Sequence, residues 1–300
     1  MVADNLVLIP GAGGVGRAAF EHLRTQEVPV RFMVRREDER AAELRALGAE
    51  VVIGDLTRPE TVAAALQGVT RMFFGMTVSP DHLLAATMVA SVAKEYGKLE
   101  VLVDLSQMTV SQMTATSTEE SHQQRLHWLS EQVLNWSGLP VVHIRPTAFL
   151  DTPLFTTMAA RSIQQNGTIA APFGTGHTSP VAVDDVARVI ATVLRDPAPH
   201  IGQVYELTGP RSVDMTELAA EFSRALGREV TYADVPPEGW EARLSDMRMP
   251  SHLERHIKTM ARLHRENRYD RTTDGVERVT GTAPQSIQEF VAARKDLYLG

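Results

Sequence analysis

A short glycine-rich loop near the N-terminus constrains the fold more than any other feature of the chain. The apolar run at positions 6–9 leads into Gly-Ala-Gly-Gly-Val-Gly, and a segment of helical period follows directly. Glycines in this spacing let the backbone turn tightly, so that free N–H groups and the positive end of a helix dipole can meet a diphosphate. The residues expected to bind the diphosphate of a dinucleotide are Gly11, Gly13, Gly14, Val15 and Gly16.

Strand-like and helix-like segments alternate through the first half of the chain. Apolar runs predict strands at 5–9, 28–34, 50–53, 71–74, 100–105 and 140–144, with helical segments between them. This alternation is typical of a Rossmann-type α/β fold, a doubly wound parallel sheet. Glycine and proline interrupt the rhythm after Arg145, which predicts a smaller C-terminal α/β substrate lobe. We place the dinucleotide-binding domain at 1–150, with 181–208 returning to it, and the smaller lobe at 151–180 and 209–300.

The end of the second predicted strand indicates which dinucleotide is bound. NAD sites carry a carboxylate there against the ribose 2′-hydroxyl, whereas arginine suits a 2′-phosphate. Arg35 and Arg36 occupy this place, so the sequence predicts NADP(H). Glu37 and Asp38 follow closely, and the alternative is that the two arginines are ordinary solvated loop residues.

Composition narrows the classes of partner. Thirty basic and 37 acidic residues give a net charge of −7, which disfavours binding to nucleic acid or to an anionic membrane. The chain has no cysteine, which excludes disulfides and thiolate metal sites, and we expect no metal. The apolar run at 6–9 is far too short for a signal peptide or a membrane span, so we expect a cytoplasmic protein. The expected partner is a small apolar or aromatic substrate. The chain could also form a homodimer.

A basic segment between Arg243 and Arg271 leaves two alternatives open. The segment could bind a partner or nucleic acid. Acidic residues are interspersed among its arginines, however, and apolar residues at helical spacing mark one buried stripe. This pattern favours a solvated helix face.

Several motifs resemble the NmrA-like type of atypical short-chain dehydrogenases, a group that includes quinone and triphenylmethane dye reductases. They are the glycine loop, Val34-Arg35-Arg36, Gly54-Asp55-Leu56, His127-Trp-Leu-Ser-Glu131, Ile144-Arg145-Pro146, Ser179–Ala187 and the ending Thr280–Phe290. The resemblance covers nearly the full chain, with a gap at about 235–275. Many relatives begin the loop with a glycine where this chain has Pro10, and we expect Gly11 to make the turn instead.

The resemblance also implies roles for individual residues. It implies adenine contacts from Asp55 and Leu56, and contacts on the nicotinamide side from Met76, Thr77 and Ser106. It further implies a substrate cleft that involves the C-terminal lobe.

The usual proton donor of short-chain dehydrogenases, a tyrosine with lysine four residues later, is missing. None of the five tyrosines has lysine at that spacing, and His127 and Glu131 stand at the matching place. An imidazole four residues from a carboxylate on one helix face can hold a proton near neutral pH, so this pair is the candidate weak general acid. The alternative is a surface ion pair with no catalytic part.

The absence of the tyrosine/lysine proton donor favours acceptors whose reduction does not require a strong general acid. Hydride transfer to a quinone, azo or dye-like carbon forms an anion already delocalised over the acceptor. Apolar and aromatic residues suit such flat substrates, and the expected substrate contacts are Met108, Thr147, Phe149 and Phe173. We therefore expect an NADPH-dependent reductase. The alternatives are a non-catalytic NADP(H) sensor that binds a partner, and a biosynthetic tailoring enzyme or isomerase.

Overall fold

The computed structural model describes residues 5–300, apart from the side chain of Arg243, and divides them into two compact units. The first unit comprises the described residues through Val110, together with Gln123–Arg145 and Val186–Tyr205. The second unit comprises Ser111–His122, Pro146–Asp185 and Glu206–Gly300. Residues 111–122, which we had included in the N-terminal domain, thus group with the second unit.

The described residues form nine strands. They are β1 (Leu6–Pro10), β2 (Val30–Val34), β3 (Glu50–Ile53), β4 (Val69–Phe74), β5 (Val101–Leu105), β6 (Val141–Pro146), β7 (Thr168–Ala171), β8 (Val204–Leu207) and β9 (Thr231–Asp234). Seven of them form one sheet in the order β3-β2-β1-β4-β5-β6-β8, and β7 pairs with β9 in a second sheet. The pairs from β3 through to β6 are all parallel.

Helices follow most of the strands. They are α1 (Gly14–Arg24), α2 (Glu39–Ala46), α3 (Pro59–Ala65), α4 (His82–Tyr96), α5 (His122–Trp136), α6 (Thr157–Asn166), α7 (Val183–Arg195), α8 (Met215–Leu226), α9 (Pro237–Asp246), α10 (Ser251–Arg265), α11 (Gly275–Thr280), α12 (Ile287–Ala292) and α13 (Lys295–Leu299). No helix within residues 5–300 combines the length and the apolar character that a membrane span needs.

The strand order creates a switch point beside β1. The chain proceeds from β1 outward through β2 to β3, then returns to pair β4 on the other side of β1. Successive residues of β1 are fully buried, including Val7, Leu8 and Ile9, so both faces of the sheet are covered. In sheets of this kind ligands bind at the carboxyl ends of the strands next to the switch point, here the segments after Pro10 and Phe74.

These observations confirm the expected Rossmann-type fold and correct one detail. The stretch from 151 to 180, where the interrupted rhythm predicts no individual strand or helix, contains α6 and β7. The strand is only four residues long, and its partner β9 lies about sixty residues later in the chain. Short strands with such distant partners leave little periodicity in the sequence.

The second unit has its own apolar core. Phe155, Phe222, Phe290 and Tyr298 are among its fully buried side chains. The hydroxyl of Tyr298 donates to the backbone carbonyl of Phe155 at 2.9 Å, which satisfies the one polar atom of that ring.

The basic segment at 243–271 makes ion pairs within the second unit. The pairs are Arg262 with Glu119, Arg265 with Asp234, Arg268 with Glu120 and Arg271 with Glu206. Arg268 also donates to the side chain of Gln112. Contacts from α10 and the residues after it thus hold the segment at 111–122 in place. These pairs neutralise positive charge that the sequence alone left available for a partner.

The buried Arg71 offers a test of how the first unit is held together. It is 7% exposed on β4 and donates to Glu100 at 3.0 Å and to the carbonyls of Leu194 and Arg195, both at 2.7 Å. These carbonyls end α7 and have no partner within the helix. We expect Arg71→Met to lower the free energy of unfolding by about 2–3 kcal/mol, because the buried acceptors lose their donor.

Urea denaturation followed by circular dichroism measures this change. Arg40→Met is the matched control, since Arg40 is 71% exposed and forms an ion pair with the neighbouring Asp38 on the surface. It should change the unfolding free energy by less than about 0.5 kcal/mol. Equal effects of the two substitutions would contradict a structural role for Arg71.

Candidate functional site

The glycine loop makes the turn between β1 and α1. Pro10 is the last residue of β1, and Gly11 follows with φ at +75°, a conformation that side chains disfavour. The N–H of Gly11 donates to the carbonyl of Met33 at 2.8 Å, which fixes the loop to the end of β2. Gly11 thus makes the turn despite the proline before it.

The first turn of α1 presents unpaired N–H groups. The N-cap residue is Gly13, which has no side chain to cap the helix, and the first helical bond runs from the N–H of Arg17 to the carbonyl of Gly13. The N–H groups of residues 14–16 therefore lack helical acceptors. A Cβ added to Gly13 or Gly14 would meet no atom within 4 Å, so the space beside these two residues is open. Such a helix end attracts an anion.

Gly16 has a different role in the same turn. A Cβ at this position would lie 3.0 Å from Cγ2 of Ile9, tighter than ordinary contact. The absence of a side chain therefore lets α1 pack closely on β1 and keeps its N-terminus at the carboxyl end of that strand.

The two arginines after β2 are exposed, and neither has a hydrogen-bond or ion-pair partner in the part of the chain that the structure describes. The acidic residues beside them bind elsewhere. Glu37 pairs with Arg45 through both oxygens, and Asp38 accepts from the N–H of Ala41 at 3.1 Å as the cap of α2. Arg35 and Arg36 are therefore available for an external anion.

Asp55 and Leu56 follow β3 beside these arginines. One carboxylate oxygen of Asp55 accepts from the N–H and the hydroxyl of Thr57, at 2.9 and 2.8 Å. These bonds, and to a lesser extent the charge of Arg35, hold the pKa of Asp55 below its usual value. Leu56 is 7% exposed and packs into the core beneath. The loop is rigid and its carboxylate is ionised near Arg35.

The segments after β4 and β5 carry the residues expected on the nicotinamide side. Met76 is half-buried, Thr77 is exposed and Ser106 is 4% exposed. The hydroxyl of Ser106 has no hydrogen-bond partner among residues 5–300. A buried hydroxyl without a protein partner costs free energy unless it meets a polar group, and a bound ligand can supply one.

The start of α5 fixes both segments, a role that the sequence did not indicate. The side-chain oxygen of Gln123 accepts from the N–H of Ser79 at 3.1 Å, and Gln124 donates to the hydroxyl of Thr109 at 3.0 Å. The two glutamines thus connect α5 to the loops after β4 and β5.

The structure gives His127 and Glu131 different neighbours. Both oxygens of Glu131, which is 1% exposed, accept from Arg145 at 2.9 and 2.5 Å. His127 is half-buried, and its ring lies against that of His82, with centroids 4.0 Å apart. Glu131 therefore anchors α5 to β6, and the ring of His127 contacts another imidazole, that of His82.

A second buried pair lies on the strands next to α5. Asp104 and His143 are register partners on β5 and β6, and Nδ1 of His143 lies 2.8 Å from the Asp104 carboxylate. Nε2 of His143 lies 3.0 Å from the side-chain oxygen of Asn135 on α5. Burial alone would lower the pKa of His143, but the hydrogen bond and charge of Asp104 outweigh it and raise the pKa. His143 thus keeps its proton at a pH where an exposed histidine has lost it.

Polar atoms of Asp104, Glu131 and His143 approach one another within 4.8 Å, a separation that a metal ion could bridge. Each group already has a partner, however. His143 and Asp104 bind each other, and Arg145 places its positive charge on Glu131. We interpret the group as a charge-balanced hydrogen-bond network that holds α5 against the sheet.

The expected substrate residues differ in how much surface they offer. In the first unit Met108 is completely buried. In the second unit Phe173 is 3% exposed and stacks on His264, with centroids 4.2 Å apart. Thr147 is 5% exposed with a hydroxyl that lacks a partner among the described residues, and Phe149 is half-buried. Thr147 and Phe149 are therefore better placed to contact a ligand than the other two.

Comparison with known proteins places these features in a family. The model of the NmrA-like family matches residues 3–292. The NAD(P)H azoreductase of Xenophilus azovorans is 28% identical over 290 residues, which are 96% of this chain and 97% of the azoreductase. Quinone oxidoreductase 2 of Escherichia coli is 26% identical over 256 residues, which are 83% of this chain and 84% of that protein.

A solved structure agrees with the sequence comparison on the fold. The NADPH complex of the NADPH-dependent quinone oxidoreductase of Escherichia coli superposes with a TM-score of 0.83 at 22% identity, over 96% of this chain and 99% of that one. The family model covers nearly the whole chain. The chain belongs to the NmrA-like family.

Proposed function

We propose that the chain is an NADPH-dependent reductase that transfers hydride to a small, flat, conjugated acceptor such as a quinone or an azo compound. The observation that carries this proposal is the open N-terminus of α1 together with two arginines that have no hydrogen-bond or ion-pair partner among the described residues. The names of the azoreductase and quinone oxidoreductase relatives support the reaction class.

The groups at the switch point bind the cofactor. Gly11, Gly13, Gly14, Val15 and Gly16 hold the diphosphate through backbone N–H groups. Arg35 and Arg36 bind the 2′-phosphate, a dianion that guanidinium groups recognise better than they do a neutral hydroxyl. The ionised Asp55 orients Arg35 and lies with Leu56 on the adenine side.

The loops after β4 and β5 hold the nicotinamide end of the cofactor. Met76 and Thr77 line it, and the buried hydroxyl of Ser106 gains a polar partner when the cofactor binds. When bound, NADPH supplies a hydride. The protein contributes a fixed orientation, because α5 ties both loops through Gln123 and Gln124.

His127 supplies the proton that completes the reduction. A conjugated acceptor carries much of the negative charge itself, so a weak acid is sufficient. Glu131 acts through Arg145 as an anchor for α5, which sets the position of His127 one helical turn away. We propose that Thr147 and Phe149 contact the acceptor.

The arginines after β2 should decide cofactor preference. We expect Arg35→Ala and Arg36→Ala each to weaken NADPH binding by about 10- to 100-fold, the loss of about 1.5–3 kcal/mol for a charge-assisted bond. Affinity for NADH should change by less than about threefold, because NADH has no 2′-phosphate. Isothermal titration calorimetry measures both affinities.

Arg40→Ala is the matched control for this experiment. Arg40 is exposed on α2 close to the two arginines but pairs with Asp38. It should leave both affinities unchanged. Equal losses for NADH and NADPH in the Arg35 and Arg36 variants would contradict recognition of the 2′-phosphate.

A panel of acceptors tests the reaction itself. Purified protein should oxidise NADPH, followed by its absorbance, when quinones or azo dyes are added, and aldehydes and sugars should react at least about tenfold more slowly because the Tyr/Lys acid is missing. Tight NADPH binding with no turnover on any acceptor would overturn the reductase and favour a cofactor sensor.

Replacement of His127 tests the proton donor. We expect His127→Gln to lower kcat by about tenfold, less than the 100-fold or more typical of a strong general acid, because the acceptor delocalises charge. The pH profile of kcat should lose its inflection, while the NADPH affinity stays unchanged. His22→Gln, on α1, is the control and should retain the wild-type rate and profile. A wild-type pH profile of kcat for His127→Gln would show that His127 does not donate the proton.

A further inference from the structure

The imidazole of His82 lies in an unusual place for a histidine. It is the first residue of α4, and its side chain is completely buried. Its ring contacts that of Phe74, with centroids 5.6 Å apart, and that of His127, with centroids 4.0 Å apart and the planes tilted by 45°. The buried ring of His82 thus contacts both the end of β4 and the half-buried ring of His127.

The ring nitrogens of His82 take no part in hydrogen bonding within the part of the chain that the structure describes. Burial lowers the pKa of His82, and the nearby negative charge of Asp104 offsets this only in part. The ring is thus uncharged at neutral pH, and what it offers to His127 is a flat, neutral surface.

We propose that His82 is a positioning residue that holds the imidazole of His127 in one orientation for proton delivery, through contact between the two rings. This inference rests on the proposed function, in which His127 supplies the proton. It adds a residue that neither the motifs nor the proton chemistry indicated.

The physical argument concerns the freedom of the His127 side chain. An imidazole on a helix can turn about two bonds, and a proton donor that turns freely spends little time aimed at its target. The fully buried ring of His82 beside that of His127 restricts this freedom. A flexible aliphatic side chain of similar size would fill the space without offering a flat face.

Charged groups surround the pair of rings on three elements. Asp104 on β5 acts on His82, Glu131 lies one turn from His127 on α5, and His143 and Arg145 on β6 balance the two carboxylates. Two adjacent imidazoles would repel each other if both were protonated. Burial keeps His82 neutral, so the two rings do not repel each other.

A matched pair of apolar substitutions tests this inference. His82→Phe keeps a flat ring, whereas His82→Leu fills similar space without one. We expect the Phe variant to keep kcat within about twofold of wild type and the Leu variant to lose about fivefold or more in kcat with KM for NADPH unchanged. The Phe variant should melt at or above the wild-type temperature, because it removes two unpaired buried nitrogens.

A second measurement needs no activity. NMR titration of the His127 ring in the cofactor-free protein should give the same midpoint in wild type and the Phe variant, and a midpoint higher by about half a pH unit in the Leu variant, where water reaches the released ring. Equal rates and equal midpoints for Phe and Leu would overturn the inference. If wild type has no reductase activity but the midpoints differ as expected, the proposed function fails while the ring contact stands.

Discussion

The N-terminus of α1 is the interaction on which the other features of the first unit depend. A helix that starts with three N–H groups lacking acceptors, capped by a glycine rather than a side chain, requires a negative partner or water. Gly16 brings this end close to β1, and the reversal of strand order beside β1 opens the space in front of it. The backbone alone thus forms an anion-binding site, without a contribution from any side chain.

Side chains then give this place its specificity and its chemistry. The pairing of Glu37 and Asp38 with other partners leaves Arg35 and Arg36 available. Further along the sheet, two buried ion pairs, Asp104 with His143 and Glu131 with Arg145, involve strands β5 and β6 and fix α5 to them. Breaking one partner of such a pair is costly, so α5 has a defined position and so do the loops that it ties.

The sequence was informative where the signal is local. The strand, glycine loop and first helix form one continuous segment, and the arginines follow β2 directly, so spacing alone predicted their arrangement. Contacts between distant segments left no such signal. The i,i+4 spacing of His127 and Glu131 suggested that they pair, but Arg145 lies close to Glu131 through the packing of α5 on β6. His82 contacts His127 only because α4 and α5 pack together. The short β7 and its distant partner β9 were missed for the same reason.

The most direct test of the account follows the backbone amides of the glycine loop by NMR while NADP⁺ is added. We predict that the largest shift changes fall on Gly13, Gly14, Val15 and Gly16, and that they saturate together with the side-chain signals of Arg35 and Arg36. Saturable binding that leaves these amides unmoved, or no binding of NADP⁺ at all, would contradict the claim that the open end of α1 holds the dinucleotide.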